Sequence, residues 1–337
     1  MENYNKKLIL SVFLTLLSVS LLNYIVNPYN IFEQRFFKNL LKPEAKVQER
    51  LTKPIGLKFD KRKISAVFFG TSRTDLAINK DDYKELTGKN AENLAIGGLS
   101  EFEIQKMTDL ALKIHPEIKK VYYAIDFQTF GKTKAIINDN RSEITGNPKL
   151  QTSELCSALL SISTTGNSIW TIVKNLLHIE QRMFYPQGHK HIFVNPKIQD
   201  EFNATISEYT GRYKNIELDE NKLNDFKNYA NELKSRGIEV ILFVMPTHIT
   251  VQNLIDEAGK REMYNEWLGE LSETGDVINF NTENKYTTEE IKPDMQYFFD
   301  GSHSTHKFGK IIIKDLISPE PEVGVKIQKK GNNENAV

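Results

Sequence analysis

Residues 64–73 read ISAVFFGTSR, and this stretch decides the fold class. Ile64–Phe69 is a nearly unbroken apolar run with β-branched and aromatic side chains, the pattern of a strand that is buried on both faces. Gly70 ends the run, and the turn that follows carries hydroxyl and basic groups. The stretch predicts a strand of a parallel sheet whose carboxyl end delivers Ser72 and Arg73 to the edge where such sheets bind ligands.

Strand and helix patterns alternate through much of the chain. Further strands are predicted at Asn93–Ile96, Val121–Ile125, Glu239–Met245 and Val277–Phe280. Helical spacing of apolar residues separates them, and the helix after the second strand begins with a capping box of Ser100 and Glu103. This alternation predicts an α/β domain of three layers, α/β/α, in which helices cover both faces of a parallel sheet.

The chain divides into regions of different composition. Residues 1–29 hold a short tip and an apolar segment, and residues 30–62 form a polar linker close to the membrane. Residues 63–318 are expected to form the α/β domain, followed by a tail at 319–337. The alternation stops at about 131–222, and we interpret this stretch as an insertion or cap on the sheet.

The insertion contains one strong helical pattern, near residues 153–183, and an H-x-H pair at His189 and His191. No nearby carboxylate or third histidine accompanies the pair, so no metal site is expected. Trp170 and Trp267 both fall within helical patterns and are predicted to be packing residues rather than platforms for sugar rings.

Leu8–Val26 is a run of 19 residues without a charge, preceded by Lys6 and Lys7. A helix over this run is about 28 Å long, which matches the hydrocarbon core of a bilayer. A cleaved signal peptide would need small residues before the cut, and the end of the run, LLNYIVNPYN, has none. A buried helix of a soluble domain would be unusual behind a basic leader. The run therefore predicts an uncleaved single-pass anchor, with a cytoplasmic N-terminus and a periplasmic or extracellular domain.

The charged residues balance, with 44 Lys and Arg against 44 Asp and Glu. A net charge of zero provides none of the electrostatic excess on which nucleic-acid binders rely, so no nucleic-acid partner is expected. Cys156 is the single cysteine, which excludes an intramolecular disulfide and a cysteine zinc site. A phosphate-binding enzyme is a weak alternative because no P-loop motif is present, and no cofactor is expected.

Three sets of residues at the predicted active edge carry chemistry. Ser72 is a hydroxyl on a tight turn, Gly97-Gly98 follows the second strand, and Asp300 and His303 precede the last helix. A serine, a histidine base, an orienting carboxylate and backbone N–H donors are the parts that acyl transfer needs. Each part also has a purely structural interpretation: a helix cap for Ser72, a plain turn for the glycines, and a cap with a surface histidine for D-x-x-H.

Taken together, three blocks resemble those of the SGNH/GDSL hydrolase superfamily. They are GTSR at 70–73, Asn93-x-x-x-Gly97-Gly98 and Asp300-x-x-His303. The nearest likeness is to the membrane-anchored envelope branch, which includes DltD-like proteins and the SGNH-like proteins of polysaccharide O-acetylation. It covers roughly residues 62–130 and 222–317.

The resemblance implies a flavodoxin-like α/β/α fold and a set of catalytic roles. Ser72 would be the nucleophile, His303 the base and Asp300 its orienting partner. The N–H of Ser72 and that of Gly97 or Gly98 would form the oxyanion hole.

The residue that follows the third predicted strand departs from the superfamily pattern. Esterases of the superfamily place an asparagine there as an oxyanion donor, whereas this chain has Asp126, which cannot donate unless it is protonated. Gln128 is a candidate substitute donor. Arg73 could bind an anion or form a salt bridge to Asp126. His248, after the fourth strand, is a candidate substrate contact, and His306 is an alternative base that is expected instead in the first turn of the last helix.

Two hypotheses of different classes follow. The first is an anchored serine acyl esterase or O-acyltransferase that acts on acyl groups, O-acetyl above all, of a cell-envelope polysaccharide or related polymer. The second is a non-catalytic accessory that uses the SGNH scaffold as a binding module for a membrane-bound O-acyltransferase, which Asp126 favours. A serine–histidine distance beyond hydrogen-bond reach would favour the second hypothesis.

Overall fold

The computed structural model describes residues 2–29, 42–43, 49–132, 148–178, 183–184 and 195–328. The chain divides into two compact units. The first contains residues 1–61 and 139–191, and the second contains residues 62–138 and 192–337. The second unit holds the large sheet, and the first holds the apolar N-terminal helix.

The sheet of the second unit has six strands. They are β1 (Ile64–Phe69), β2 (Asn90–Asn93), β3 (Lys120–Ala124), β4 (Glu239–Val244), β5 (Val277–Asn279) and β6 (Val325–Ile327). Their spatial order is β2-β1-β3-β4-β5-β6, and all neighbours are parallel except the antiparallel pair β5 and β6. The predicted α/β class is confirmed, and the predicted parallel sheet is corrected to a mostly parallel one.

Strand β6 lies in the stretch that the sequence assigned to a tail. It is three residues long, and its Val325 is about half exposed. An edge strand this short needs no continuous apolar run, so the sequence contains no strand pattern for it.

Strand β2 lies three residues earlier than its predicted position at Asn93–Ile96. The predicted apolar run nevertheless continues along β1, because the amides of Leu94 and Ile96 donate to the carbonyl oxygens of Phe68 and Gly70. Strand β2 itself, Asn90–Asn93, is at the edge of the sheet and mostly half-buried, so polar residues are tolerated there.

The helices, in chain order, are α1 (Glu2–Val26), α2 (Glu49–Phe59), α3 (Ser72–Ala77), α4 (Lys80–Thr87), α5 (Glu101–Ile114), α6 (Pro148–Leu160), α7 (Ile162–Leu176), α8 (Ile198–Lys214), α9 (Glu220–Ser235), α10 (Ile249–Glu257), α11 (Arg261–Ser272) and α12 (His306–Ile317). A short 3₁₀ turn covers Phe127–Phe130. A two-residue antiparallel pair joins Lys42–Pro43 to Met183–Phe184 in the first unit.

Helices pack on both faces of the sheet because the side chains of each strand alternate between the faces. On one face, Phe68 of β1 stacks on Tyr122 of β3 and belongs to the same buried cluster as Phe308 of α12. On the other face, Tyr123 of β3 packs edge-to-face on Phe226 of α9. The core therefore lies on both sides of the central strands, as near-continuous apolar runs predict.

The first unit contains one helix that is long and apolar enough to cross a membrane, the only such helix among the described residues. It covers Asn3–Val26, and its mean hydropathy over the most apolar window is 2.2. This agrees with the predicted anchor segment. Within the predicted linker at 30–62, residues Glu49–Phe59 form α2.

The predicted insertion at 131–222 is divided between the units. The helix expected near 153–183 is a pair, α6 and α7, in the first unit, whereas α8 belongs to the second. Trp267 is fully buried, as predicted, but Trp170 is 47% exposed, and its prediction as a packing residue was wrong. His189 and His191 lie outside the described residues.

Candidate active site

The turn after β1 presents Ser72 at the carboxyl end of the sheet. Gly70 is required there because a Cβ at that position would lie 2.8 Å from Cβ of Ala124 and would overlap the hydroxyl of Thr74. Thr71 occupies the N-cap position of α3 without capping through its side chain, and Ser72 is the first helical residue. Ser72 is therefore not a helix cap, and its hydroxyl is available for other contacts.

Ser72, His303 and Asp300 form a continuous hydrogen-bonded relay. The Oγ of Ser72 lies 2.8 Å from Nε2 of His303, and Nδ1 of His303 lies 2.8 Å from Oδ2 of Asp300. A carboxylate accepts only, so Nδ1 carries the proton in this pair. In the neutral ring Nε2 then carries no proton and is an acceptor. This is the tautomer that a base needs in order to take the proton of Ser72.

Backbone donors hold the Asp300 carboxylate. Its Oδ1 accepts the amide N–H groups of Ser302 at 2.7 Å and His303 at 2.9 Å, together with the Ser302 hydroxyl. Burial alone would raise the pKa of Asp300, but the hydrogen bond and charge of His303 and the backbone donors outweigh it and hold that pKa at about 2. Asp300 is therefore ionised at every pH at which the protein is expected to work.

The loop that carries Asp300 and His303 is fixed from both sides. The amide N–H of His248 donates to the carbonyl oxygen of Gly301 at 2.9 Å. The amide N–H of Phe299 donates to the carbonyl oxygen of His303 at 2.8 Å. A Cβ on Gly301 would lie 2.8 Å from Cγ2 of Val251, so the loop packs closely on α10. These contacts set the position of the histidine relative to Ser72.

His248 itself is buried at the N-cap of α10. Its Nε2 donates to the carbonyl oxygen of Glu289 at 2.8 Å, and its Nδ1 accepts from the amide of Thr250. Burial lowers the pKa of its imidazole and so favours the neutral form. His248 is not among the residues that line the groove described below, and its role as a substrate contact stays a prediction.

His306 begins α12, as the sequence predicts for it. Burial lowers the pKa of this imidazole as well, partly opposed by the charge of Asp82. The structure brings His303, and not His306, to the hydroxyl of Ser72.

Asp126 binds both neighbours of Ser72. Its Oδ2 accepts the hydroxyl of Thr71 at 2.5 Å, and its Oδ1 lies 3.3 Å from Nη1 of Arg73. The side chains of Arg73 and Asp126 are both more than nine-tenths buried. The sequence left two roles open for Arg73, anion binding and a salt bridge to Asp126. The salt bridge is the one that the structure contains.

An open groove of about 1830 Å³ runs past Ser72 in the second unit. Five predicted site residues line it: Ser72, Arg73, Gly98, Asp126 and Gln128. Gly98 has a left-handed φ of 66°, which orients the turn after β2. Within the part of the chain that the structure describes, no hydrogen bond has the Ser72 amide as donor, so this N–H is available to an oxyanion.

Gln128 lies in the groove with its two amide ends in different states. Its Oε1 accepts from Nη1 of Arg212 at 2.7 Å, and its Nε2 is a buried donor without a hydrogen-bond partner among the described residues. A buried, unpaired amide N–H is suited to donate a hydrogen bond to a substrate oxygen. Its role as an oxyanion donor stays a prediction.

The groove wall that α8 contributes was not predicted from the sequence. Tyr209 and Arg212 of α8 line the groove, and the guanidinium of Arg73 lies 5.8 Å from the centre of the Tyr209 ring. The residues Phe202, Tyr209 and Tyr213 recur at intervals of seven and four, which is the one pattern that could have indicated a buried helix face here.

The chain matches no family model, no curated protein and no solved structure.

Proposed function

We propose that this chain is a membrane-anchored, extracytoplasmic SGNH-type serine acyl esterase or O-acyltransferase. The observation that carries the proposal is the relay of Ser72, His303 and Asp300, with two consecutive distances of 2.8 Å. Three side chains from distant parts of the chain meet in the order and with the tautomer that nucleophilic acyl transfer needs. Neither of the structural interpretations, a serine that caps a helix or a histidine on the surface, accounts for such a relay.

The strand order supports the finer fold assignment. The order β2-β1-β3-β4-β5 is that of flavodoxin-like sheets, in which ligands bind outside the carboxyl ends of β1 and β3. Ser72 follows β1 and Asp126 follows β3, so the groove lies where this topology places a ligand.

The reaction would proceed through an acyl-enzyme. The Oγ of Ser72 attacks the carbonyl carbon of the acyl ester while Nε2 of His303 takes the hydroxyl proton, and Asp300 stabilises the imidazolium. When the tetrahedral intermediate collapses, the bond to the leaving alcohol breaks and His303 returns the proton to its oxygen. Water or an acceptor hydroxyl then attacks the acyl-enzyme by the same steps in reverse, giving hydrolysis or transfer.

The oxyanion needs donors that the groove can supply. The Ser72 N–H is in place at the start of α3, and Gly97 or Gly98 with Gln128 are the further candidates. Asp126 does not take this role in the proposal, because its carboxylate is committed to Thr71 and Arg73. In this proposal Asp126 instead holds the turn that carries Ser72.

The substrate class and location rest on the anchor and on the resemblance of the three sequence blocks. A single span at residues 8–26 with Lys6 and Lys7 before it favours a cytoplasmic N-terminus and a domain in the periplasm or outside the cell. Acyl groups on a cell-envelope polysaccharide, O-acetyl above all, are the substrates we propose, and a membrane-bound O-acyltransferase is a candidate partner. A groove that is partly open to solvent suits a polymer better than a closed pocket does.

The accessory hypothesis predicts a serine and a histidine out of reach of each other. The observed 2.8 Å is the opposite of that expectation.

Turnover of a small acetyl ester by the full-length chain in detergent tests the proposal. We expect hydrolysis with a covalent burst, lost by at least about 10⁴-fold in Ser72→Ala. Ser318→Ala, at an exposed hydroxyl after α12, is the matched control and should keep full activity. Activity that survives in Ser72→Ala would rule out the proposed role of Ser72. Faster loss of the acyl donor on addition of a sugar acceptor would favour transfer over hydrolysis.

A further inference from the structure

Helix α7 buries polar side chains and exposes apolar ones, which is the reverse of a helix that faces water. Its buried positions are polar: Thr164, Ser168 and Thr171 are each at most 2% exposed. Its large exposed side chains are apolar, namely Ile162, Ile169, Trp170, Leu176 and the following residue Leu177, and the other exposed helix positions are the small residues Ser163 and Gly166. A helix on the surface of a soluble domain has the reverse arrangement, so an apolar surrounding is indicated for this face.

The buried polar face of α7 is bonded to the candidate membrane span. Asn23 of α1 donates to the carbonyl oxygen of Leu159 at 2.8 Å and to the hydroxyl of Thr165 at 3.1 Å, and its Oδ1 accepts the hydroxyl of Ser168 at 2.8 Å. Asn167 donates to the hydroxyl of Tyr29 at 2.8 Å. Asparagine, serine and threonine that bond across helices are typical of helix contacts within membranes, where no water competes for them.

The contact lies at one end of α1. Residues 3–18 are exposed, and burial begins at residue 19 and reaches its maximum from Asn23 onward. The last turns of α1, at residues 19–26, are about 12 Å long. If the part of α1 in the hydrocarbon core begins near Leu8, these turns lie in the outer half of the bilayer. Helix α7 is therefore fixed at the depth of one leaflet and its headgroup boundary.

The composition of the segment fits that depth. Residues 155–173 contain no Asp, Glu, Lys or Arg. Trp170 follows near the end of this stretch, and the ammonium of Lys174 lies 4.9 Å from the centre of its ring. Tryptophan is characteristic of the boundary between hydrocarbon and water.

We propose that the exposed face of α7 is a second membrane contact, in which Ile162, Ile169 and Trp170 are embedded in the outer leaflet beside α1. The occupant of this face is lipid, because α7 packs on α1, whose exposed surface is apolar, and because residues 155–173 contain no Asp, Glu, Lys or Arg that would match a charged partner. The inference rests on the membrane anchoring included in the proposed function and is independent of the catalytic roles.

Site-directed spin labelling of the full-length chain in phosphatidylcholine liposomes tests the proposal. In a Cys156→Ser background, Ile169→Cys carries the nitroxide, and Glu257→Cys, on an exposed position of α10, is the matched control. We expect the label at residue 169 to collide with dissolved oxygen and to be shielded from a water-soluble nickel complex, with the opposite result at residue 257. Lipids brominated near the headgroup should also quench Trp170 in Trp267→Phe, whose only tryptophan is then Trp170.

Three results would overturn the proposal. The first is nickel accessibility at residue 169 as high as at residue 257. The second is a label that neither reagent reaches, or one broadened by a label on another copy, which would mean that protein covers the face. Failure of the chain to float with liposomes would also reject the anchoring on which the proposal rests. Flotation with an accessible residue 169 would reject the second contact alone and leave the proposed function standing.

Discussion

Arg73 and Asp126 form a buried ion pair directly beside the nucleophile, with Nη1 and Oδ1 3.3 Å apart. Asp126 also accepts the hydroxyl of Thr71, so one carboxylate holds the residues on both sides of Ser72. Burial alone would lower the pKa of Arg73, but the charge of Asp126 reverses this effect and raises it. Arg73 therefore remains charged, and its ion pair with Asp126 couples the turns after β1 and β3.

Removing one member of this pair should cost more than removing both. Arg73→Met leaves a buried carboxylate without its cation and is expected to lower the free energy of unfolding by about 3–5 kcal/mol. The double variant Arg73→Met/Asp126→Leu should recover a large part of that loss, because no uncompensated charge remains. Chemical denaturation of the two single variants and the double variant measures the coupling. Losses that simply add would show that the pair does not act as a unit.

The identity of the base is tested by two histidines three residues apart. His303→Gln should lower the turnover of an acetyl ester by about 10⁴-fold, and Asp300→Asn should have an effect of the same order because the imidazole loses the partner that fixes its tautomer. His306→Gln should leave turnover close to wild type, since His306 begins α12 and does not reach Ser72. A large loss in His306→Gln with an active His303→Gln would reverse the assignment.

The position of Gly301 should make activity sensitive to a single methyl group. In Gly301→Ala the new Cβ would come within 2.8 Å of Val251 and 3.2 Å of Thr205, which displaces the loop between Asp300 and His303. Such overpacking costs about 1–3 kcal/mol, and we expect turnover to fall by more than stability alone explains. Gly269→Ala is the control: that helix position has open space around it, so stability should rise by about 0.5–1 kcal/mol with turnover unchanged. Equal turnover in both variants would contradict the loop's role.

Glu101 should make the protein less stable as the pH rises. It lines the groove, its Oε1 has no hydrogen-bond partner among the described residues, and burial raises the pKa of its carboxyl group above the ordinary value. A raised pKa means that the folded state binds the proton more tightly, so this stabilisation is complete below the ordinary pKa of glutamate and is lost as the pH rises through the folded value. Glu101→Gln should therefore raise the thermal midpoint at pH 7 more than at pH 4. A gain that is the same at both pH values would contradict this account.

The sequence predicted the central strands and the pairing of Asp300 with His303 because both leave local patterns. The apolar run at Ile64–Phe69 can only be satisfied by burial on two faces, and D-x-x-H fixes Asp300 and His303 within one loop. The edge strand β6 and the groove wall from α8 could not be predicted in this way. Both depend on long-range packing. The three mostly exposed residues of β6 and the mixed helical pattern of α8 do not indicate which parts of the chain they contact.

Asp126 shows a different limit of sequence analysis. Its type alone suggested a charge opposed to the oxyanion, because the cation and hydroxyl that it binds come from residues 71 and 73, more than 50 positions earlier. Trp170 shows a third limit. A helical period indicates that one face is buried, but it does not show whether the surrounding medium is protein, water or lipid.

Covalent labelling of Ser72 tests the central claim most directly. The full-length chain in detergent is treated with a fluorophosphonate, and the adduct is located by peptide mass spectrometry, with thermal unfolding of each variant confirming that it is folded. We expect the label on Ser72 in the wild-type chain, no label in Ser72→Ala, and a strongly slowed reaction in His303→Gln, because the serine is then without its base. A folded wild-type chain that does not react, or a Ser72→Ala variant labelled to the same extent, would contradict the account.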